Sequence, residues 1–281
     1  MLTFLSLLHS IIIGIVQGIS EWLPISSKTQ VIIASTLLLH LTFQQAYTFG
    51  LFIEIGTVLA AIVYFRKDLF IMIKALFNRG DPNGKKMLIY VVIATVITGI
   101  IGAPLYLIAD SITGISVGIP MLLIGAVLIV DAILIRYSRN KAASNVKKFG
   151  DLKTRDYLIV GIAQGIAALP GVSRSGITTS ALLLMKVEPD EAFRLSFIIG
   201  IFASAGAFLL TLVASHSNVT AALAGIGIEG LVVAIIVAMI VSFFLIDFLI
   251  KVAGKAKIVY VTAGLGVLAI AAGLIYLVFG L

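Results

Sequence analysis

The chain of 281 residues contains no cysteine. Thiol nucleophiles, structural disulfides and thiolate metal sites are therefore excluded, and no redox compartment can be read from it. Histidine is nearly absent too. His9, His40 and His216 stand far apart, without the spacing of metal ligands. Charge is scarce, at 12% of residues against about a quarter in an ordinary soluble domain. With 60% hydrophobic residues and a mean hydropathy of +1.18, the chain has too little polar surface to be a soluble globule and reads as an integral membrane protein. The first residues, Met1 to Leu8, carry no basic segment and no small-residue cleavage site, so they read as mature structure.

What the sequence does have is long apolar runs near the roughly 20 residues needed to cross a bilayer. They lie at about Tyr47 to Phe65, Met87 to Ala109, Val117 to Ile135, Leu195 to Ala214, Glu229 to Ile250 and Ile258 to Phe279. Six transmembrane helices are expected. Most of the basic residues behind the net charge of +7 gather in three connections: Arg66 to Lys86, Arg136 to Arg155 and Lys251 to Lys257. The connections near His40 to Ala46, Asp110 to Ser116 and Ser215 to Ile228 hold no lysine or arginine. By the positive-inside rule the first set faces the cytoplasm and the second faces outward, so the positive charge marks orientation and implies no nucleic acid.

Two stretches share a pattern. Gly14-Ile15-Val16-Gln17-Gly18-Ile19 matches Gly161-Ile162-Ala163-Gln164-Gly165-Ile166, and each runs into proline and a polar cluster. The chain reads as one membrane domain built from a duplication, with a first repeat over 1–140 and a second over 148–281. Threading the spans through the loop assignments turns the halves upside down relative to each other, which is the inverted-repeat plan that places a binding site near the midplane. The segments carrying the clusters, about 2–39 and 157–186, are too short to cross twice and are expected to form re-entrant helix-loop-helix hairpins, the first entering from outside and the second from the cytoplasm. The expected fold is therefore all-α: six transmembrane helices plus two re-entrant hairpins.

Irregular backbone at membrane depth must line a cavity or be buried in protein. Pro24 and Pro170 are expected to end the incoming helices, leaving the outgoing helices to start with unpaired N–H groups aimed at that cavity. Ser173, Arg174 and Ser175 supply hydroxyls and a planar cation there, and Gly171 and Gly176 permit close backbone approach; this chemistry suits phosphate. In the first hairpin Gln17 and Glu21, four apart, share a helix face and can meet one substrate group or metal ion. Glu54, inside the following span, is expected either to line the cavity or to pair with Lys28. The small-xxx-small pairs Gly14/Gly18 and Gly161/Gly165 are expected to mark close helix packing, and Asp131 and Asp247 to be solvated at helix ends.

Pro170-Gly171-Val172-Ser173-Arg174-Ser175-Gly176-Ile177-Thr178 resembles the PGxSRSxxT motif of the undecaprenyl-pyrophosphate phosphatase family, also called the bacitracin-resistance protein family, and Gln17, Glu21 and Pro24 to Ser27 are similar to its other signature. The resemblance covers the whole chain. It implies a phosphatase that removes the terminal phosphate of a C55 polyprenyl diphosphate at the outer face of the plasma membrane and so recycles the lipid carrier for cell-wall glycan export. It further implies that Arg174 grips the diphosphate, that Ser173, Ser175 and Thr178 line its pocket, that Glu21 is the essential acid, and that Ser27 is nucleophile or substrate ligand. Ser26, Lys28, Gln30 and Gly171 complete the expected substrate-binding set. Gln17 stands where glutamate also occurs in the family, and Gln30 where many members have histidine, which marks a divergent branch acting on an undecaprenyl-type or dolichol-like lipid. Either Ser27 or water attacks, with Glu21 managing protons or a divalent cation, Mg2+ or Ca2+. A homodimer is a further expectation. The competing function for the same cavity is transport of polyprenyl phosphate across the bilayer.

Overall fold

The computed structural model describes residues 4–23, 26–77, 81–111, 147–169, 172–214, 216–252 and 257–279, with isolated residues between 122 and 137. The described residues form helices and no strand, apart from one isolated bridge between Lys147 and Val187. The helices are α1 (Phe4–Ser20), α2 (Ser27–Leu39), α3 (Phe43–Tyr64), α4 (Arg66–Leu76), α5 (Pro82–Ser111), α6 (Thr154–Ile166), α7 (Arg174–Leu184), α8 (Pro189–Ala214), α9 (His216–Val252) and α10 (Lys257–Phe279). A single 3-10 turn, Phe149–Asp151, precedes α6.

Four of these helices contain segments long and apolar enough to cross a membrane: Gln45–Tyr64, Pro82–Ile108, Pro189–Leu212 and Gly227–Lys251. They coincide with four of the expected spans. The sixth run, Ile258 to Phe279, falls on α10, a helix of 23 residues. The third, Val117 to Ile135, lies largely outside the described residues, as do Pro24, Pro170, Gly171 and Asp131. The outer faces of the long helices are apolar as a bilayer requires. On α9, Ile228, Val232, Ile236, Ile240, Phe244 and Phe248 recur every four residues and are all exposed, a stripe that water would not tolerate and lipid welcomes.

The four remaining candidate-site helices are short. α1 has 17 residues, α2 and α6 have 13 each, and α7 has 11. Their ends follow from local chemistry. The Ser173 hydroxyl caps α7 by accepting from the Gly176 N–H at 3.1 Å, and Asp156 accepts from the Lys153 N–H at the start of α6. α1 ends at Ser20 and α6 at Ile166, each a few residues short of the proline expected to stop it.

The paired glycines let these short helices lie against long ones. A Cβ on Gly14 would stand 2.6 Å from the Ala234 carbonyl oxygen of α9, and one on Gly161 would stand 2.8 Å from the Ala94 carbonyl oxygen of α5. Each pair therefore marks a backbone-to-backbone seam, as its spacing suggests. On the side bearing the charged connections, Arg194 pairs with Asp68 and Glu191 accepts from the Phe149 N–H at 3.0 Å, tying α8 to α4 and to the turn before α6. Asp247 is not simply solvated: it accepts from the Tyr64 hydroxyl at 3.0 Å and from Lys251 at 2.6 Å, joining α9 to the end of α3.

Candidate active site

The turn after α1 and the start of α7 meet inside the helix assembly. Arg174, the first residue of α7, places Nη2 on Glu21 Oε1, and the Ser175 hydroxyl donates to the Leu23 carbonyl at 2.9 Å. The guanidinium from one cluster thus opposes the carboxylate from the other.

Every oxygen of Glu21 is in use. Oε1 takes Arg174, while Oε2 accepts from Gln17 Nε2 at 2.7 Å and from the Ser27 hydroxyl at 2.6 Å. The i, i+4 spacing of Gln17 and Glu21 produces the first of these contacts directly. The second needs the chain to reverse between α1 and α2, and it does so through Ser26, which adopts φ 55° without being glycine. Such backbone is unfavourable for a side-chain-bearing residue and persists only where its surroundings hold it. Here Thr29 donates to the Ser26 hydroxyl at 2.9 Å, and Ser26 itself is buried.

Arg174 is fixed on its other side by α8 and α3. Nη1 donates to the Gly200 carbonyl at 2.7 Å and also reaches Ser204 Oγ, and it lies 3.7 Å from Glu54 Oε1. Ser204 in turn donates to Glu54. The guanidinium carbon stands 5.8 Å from the Trp22 ring centroid, within cation–π reach. A Cβ at Gly200 would lie 2.9 Å from that guanidinium, so only glycine leaves room for this placement.

Arg174, both carboxylates and Ser204 line one cavity of about 250 Å3, with Trp22 and Gly200 behind them. Its walls include Glu21, Ser26, Ser27, Lys28, Glu54, Ser173, Arg174 and Ser175, together with Tyr106 of α5 and Gln164 of α6. α2 and α7 both begin at this cavity, with Ser27 and Arg174 as first residues, so two helix N-termini face an incoming anion. Charge within it is balanced: two carboxylates against Lys28 and Arg174.

Not every expected site residue reaches the cavity. Gln17 acts through Glu21, and Gln30 does not appear in the lining. Thr178 turns away as well. Its hydroxyl donates to the Arg174 carbonyl four residues earlier, at 2.7 Å, and pairs with Ser196 at 2.5 Å, fastening α7 to α8. Glu54 lines the cavity and is engaged by Ser204 and Arg174, not by Lys28, whose ammonium lies 5.9 Å from the Tyr47 ring centroid. Ser204, Gly200 and Trp22 are the participants that motif reasoning passes over. A polar residue inside the apolar run Ala203-Ser204-Ala205 is the signal that could have found Ser204.

The profile of the family described as bacitracin resistance protein BacA matches residues 10–271. The chain belongs to that family. Relatives of this BacA-family chain include a protein named undecaprenyl-diphosphatase from Saccharolobus solfataricus, 49% identical over 270 residues that cover 96% of each chain. Another of that name from Saccharolobus islandicus is 50% identical over 254 residues, 90% of each. A third, from Sulfurisphaera tokodaii, is 45% identical over 268 residues, 95% of this chain and 97% of its own. The BacA-family match spans both polar clusters, so the residues that build the cavity lie within it.

Proposed function

We propose that this BacA-family protein hydrolyses the phosphoric anhydride of an undecaprenyl-type polyprenyl diphosphate, releasing inorganic phosphate and leaving the lipid monophosphate as recycled carrier. The observation that carries the chemistry is the Ser27 hydroxyl donating at 2.6 Å to a carboxylate whose other oxygen is held by Arg174. A hydroxyl bound to a base is the arrangement of an activated nucleophile. The name borne by the relatives at 45–50% identity supports the substrate.

The steps follow from the residues. The diphosphate enters between two helix N-termini, and the Arg174 fork and Lys28 meet its oxygens. Ser27 Oγ attacks the terminal phosphorus as its proton passes to Glu21, and the bond from that phosphorus to the bridging oxygen breaks. Lipid monophosphate leaves. Glu21 hands that proton to the departing phosphate and, a base again, deprotonates the water that splits the phosphoserine. The serine oxygen takes this second proton back to restore the hydroxyl. The net change is one water consumed for each inorganic phosphate released.

The cavity is electrically balanced before substrate arrives, so the diphosphate brings an excess of negative charge that must be offset. Two buried carboxylates opening on one cavity suit Mg2+, which commonly takes one or two carboxylates and completes its shell with substrate phosphate oxygens. Glu21 and Glu54 would hold it, or Ca2+ in its place. Among the described residues no three acidic or histidine side chains cluster, so phosphate oxygens are needed to finish the shell. When bound, such an ion neutralises charge on the phosphoryl group.

The reading includes a topology. At about 1.5 Å per residue, α1, α2, α6 and α7 run roughly 17 to 26 Å, short of the ~30 Å hydrocarbon core. They are re-entrant hairpins that meet tip to tip, the first from outside and the second from the cytoplasm, in a plasma-membrane protein of inverted-repeat build whose site opens outward. The decisive assay is phosphate release from C55 polyprenyl diphosphate by purified protein, with and without chelator. Substrate labelled in its terminal phosphate should leave acid-stable label on the protein, absent from Ser27→Ala. Counterflow of lipid phosphate into proteoliposomes without any phosphate release would replace the enzyme with a carrier.

A further inference from the structure

The cavity does not end at the charged groups. It continues between α5 and α8, where its walls are Gly99, Gly102 and Ala103 on one side and Ala203, Gly206 and Ala207 on the other. These two helices touch at both ends of the gap. Tyr90 donates to the Leu195 carbonyl at 3.4 Å, and Tyr106 pairs with the Thr211 hydroxyl at 2.9 Å. Both bonds join residues 105 apart in sequence, so the helices run side by side in matched register. The stretches between the two ties are each roughly 24 Å long at about 1.5 Å per residue. Between them the space is open: a Cβ built on Gly99 or on Gly206 would meet nothing within 4 Å. At the comparable seam of α3 against α9, a Cβ on Gly56 would lie 2.2 Å from the Ile235 carbonyl oxygen. One seam is shut and the other is a window.

The window faces hydrocarbon. Val96 and Ile100 flank it on α5 with relative exposures of 55% and 65%, and Leu209 flanks it on α8 at 61%. Its inner end is polar. Gln164, only 2% exposed, donates through Nε2 to Thr98 at 3.1 Å but leaves Oε1 without a partner, and the buried Thr95 hydroxyl is likewise unpaired. Both residues line the cavity. Buried polar atoms are ordinarily paired, and these two wait for a polar group or its hydration water at the junction of charged site and apolar slot. A slot apolar outward and polar inward fits a molecule of the same polarity.

We propose that the α5–α8 window is where the polyprenyl chain of the substrate passes from the phosphate site into the bilayer, and that Gly99 and Gly206 keep it wide enough for a methyl-branched isoprenoid. This inference rests on the phosphatase reading for its substrate, but it concerns a different part of the molecule. A cavity of about 250 Å3 is smaller than the ~300–1,000 Å3 typical of sites that enclose a whole drug-sized ligand. It holds the diphosphate and the first isoprene units, and the remainder of the chain lies in lipid.

Gly99→Leu and Gly206→Leu start their side chains in open space on helical backbone, where a Cβ meets nothing within 4 Å, so they obstruct the window. Turnover of a C55 diphosphate by either variant should fall about tenfold or more in kcat/KM, since apolar slots discriminate by roughly 10- to 200-fold per group. Turnover of a five-carbon prenyl diphosphate, which has no tail to pass through the window, should fall far less than turnover of the long substrate. Equal loss on both substrates, or no loss on the long one, overturns the proposal.

A second measurement needs no catalysis. Gly206→Cys gives a single thiol in a chain that has none, and polyprenyl monophosphate should shield it from a membrane-permeant maleimide while inorganic phosphate should not. Gly264→Cys, at another exposed glycine with open space, should label equally with and without lipid. Shielding by phosphatidate as strong as by polyprenyl phosphate would make the window a general lipid cleft and overturn the assignment. If the unsubstituted protein released phosphate from neither diphosphate, the phosphatase reading would fail while shielding of Gly206→Cys kept the window.

Discussion

If Glu21 serves as the base for Ser27, the two residues act as one device, and removing either should cost nearly as much as removing both. Glu21→Gln keeps the shape of the side chain and an oxygen for Gln17 or Ser27, but it takes away the charge that accepts the proton. The variant should still fold, because Arg174 retains the Gly200 carbonyl, Ser204 and a second carboxylate, Glu54, at 3.7 Å. Ser27→Ala deletes the attacking oxygen and leaves Glu21 paired with Arg174 and Gln17. Loss of a positioned base or nucleophile typically lowers kcat by about 10²–10⁴, and the middle of that range, about 10³, corresponds to roughly 4 kcal/mol. For a linked pair the double variant should fall no further than the more damaged single, giving a coupling of about 4 kcal/mol; independent residues would multiply to a loss of about 10⁶. Phosphate release from C55 polyprenyl diphosphate in detergent, with each variant first checked for a monodisperse elution profile, measures all four corners. Multiplicative losses would break the link, and a Ser27→Ala enzyme within about threefold of the original, a difference of less than 1 kcal/mol, would refute serine attack altogether.

Arg174→Lys retains the charge but cannot span Glu21, Gly200 and Ser204 together, and phosphate release should drop about 100-fold because a point charge does not replace the fork. Gly200→Ala sets a methyl 2.9 Å from the Arg174 guanidinium; the side chain shifts, and since misplacement of about 1 Å can cost ~100-fold, turnover should fall steeply while the detergent melting temperature barely moves. Gly56→Ala does the reverse: its Cβ would sit 2.2 Å from a backbone oxygen of α9, so thermal unfolding should reveal about 1–3 kcal/mol of overpacking. Ser26→Gly relieves backbone held at φ 55° and should raise thermal stability, by about 1 kcal/mol or more if the strain is typical, with activity reduced where the loop loses its fixed shape.

The helices that cross the membrane, their apolar faces and the glycines that seat α1 on α9 and α6 on α5 were legible in the residues alone, because hydropathy and the i, i+4 spacing act over one or two helical turns. The same holds for Gln17 beside Glu21, whereas Ser173 was expected only as a pocket hydroxyl and also caps α7. Motif spacing also singled out Arg174 as an anion ligand. That Arg174 meets Glu21 was an expectation from the repeat, and its realisation depends on two hairpins far apart in sequence arriving at one point. Packing alone decided the rest. Thr178 has the composition of a pocket hydroxyl, yet the face of α7 that turns toward α8 gives it to Ser196 and a backbone carbonyl. Glu54 was ambiguous until α8 brought Ser204 against it. Gly99 and Gly206 look like any other membrane glycines; only the tyrosine ties at both ends of α5 and α8 leave them bordering open space, because which helix seam closes and which stays apart is set by many small contacts between distant segments and by no local pattern.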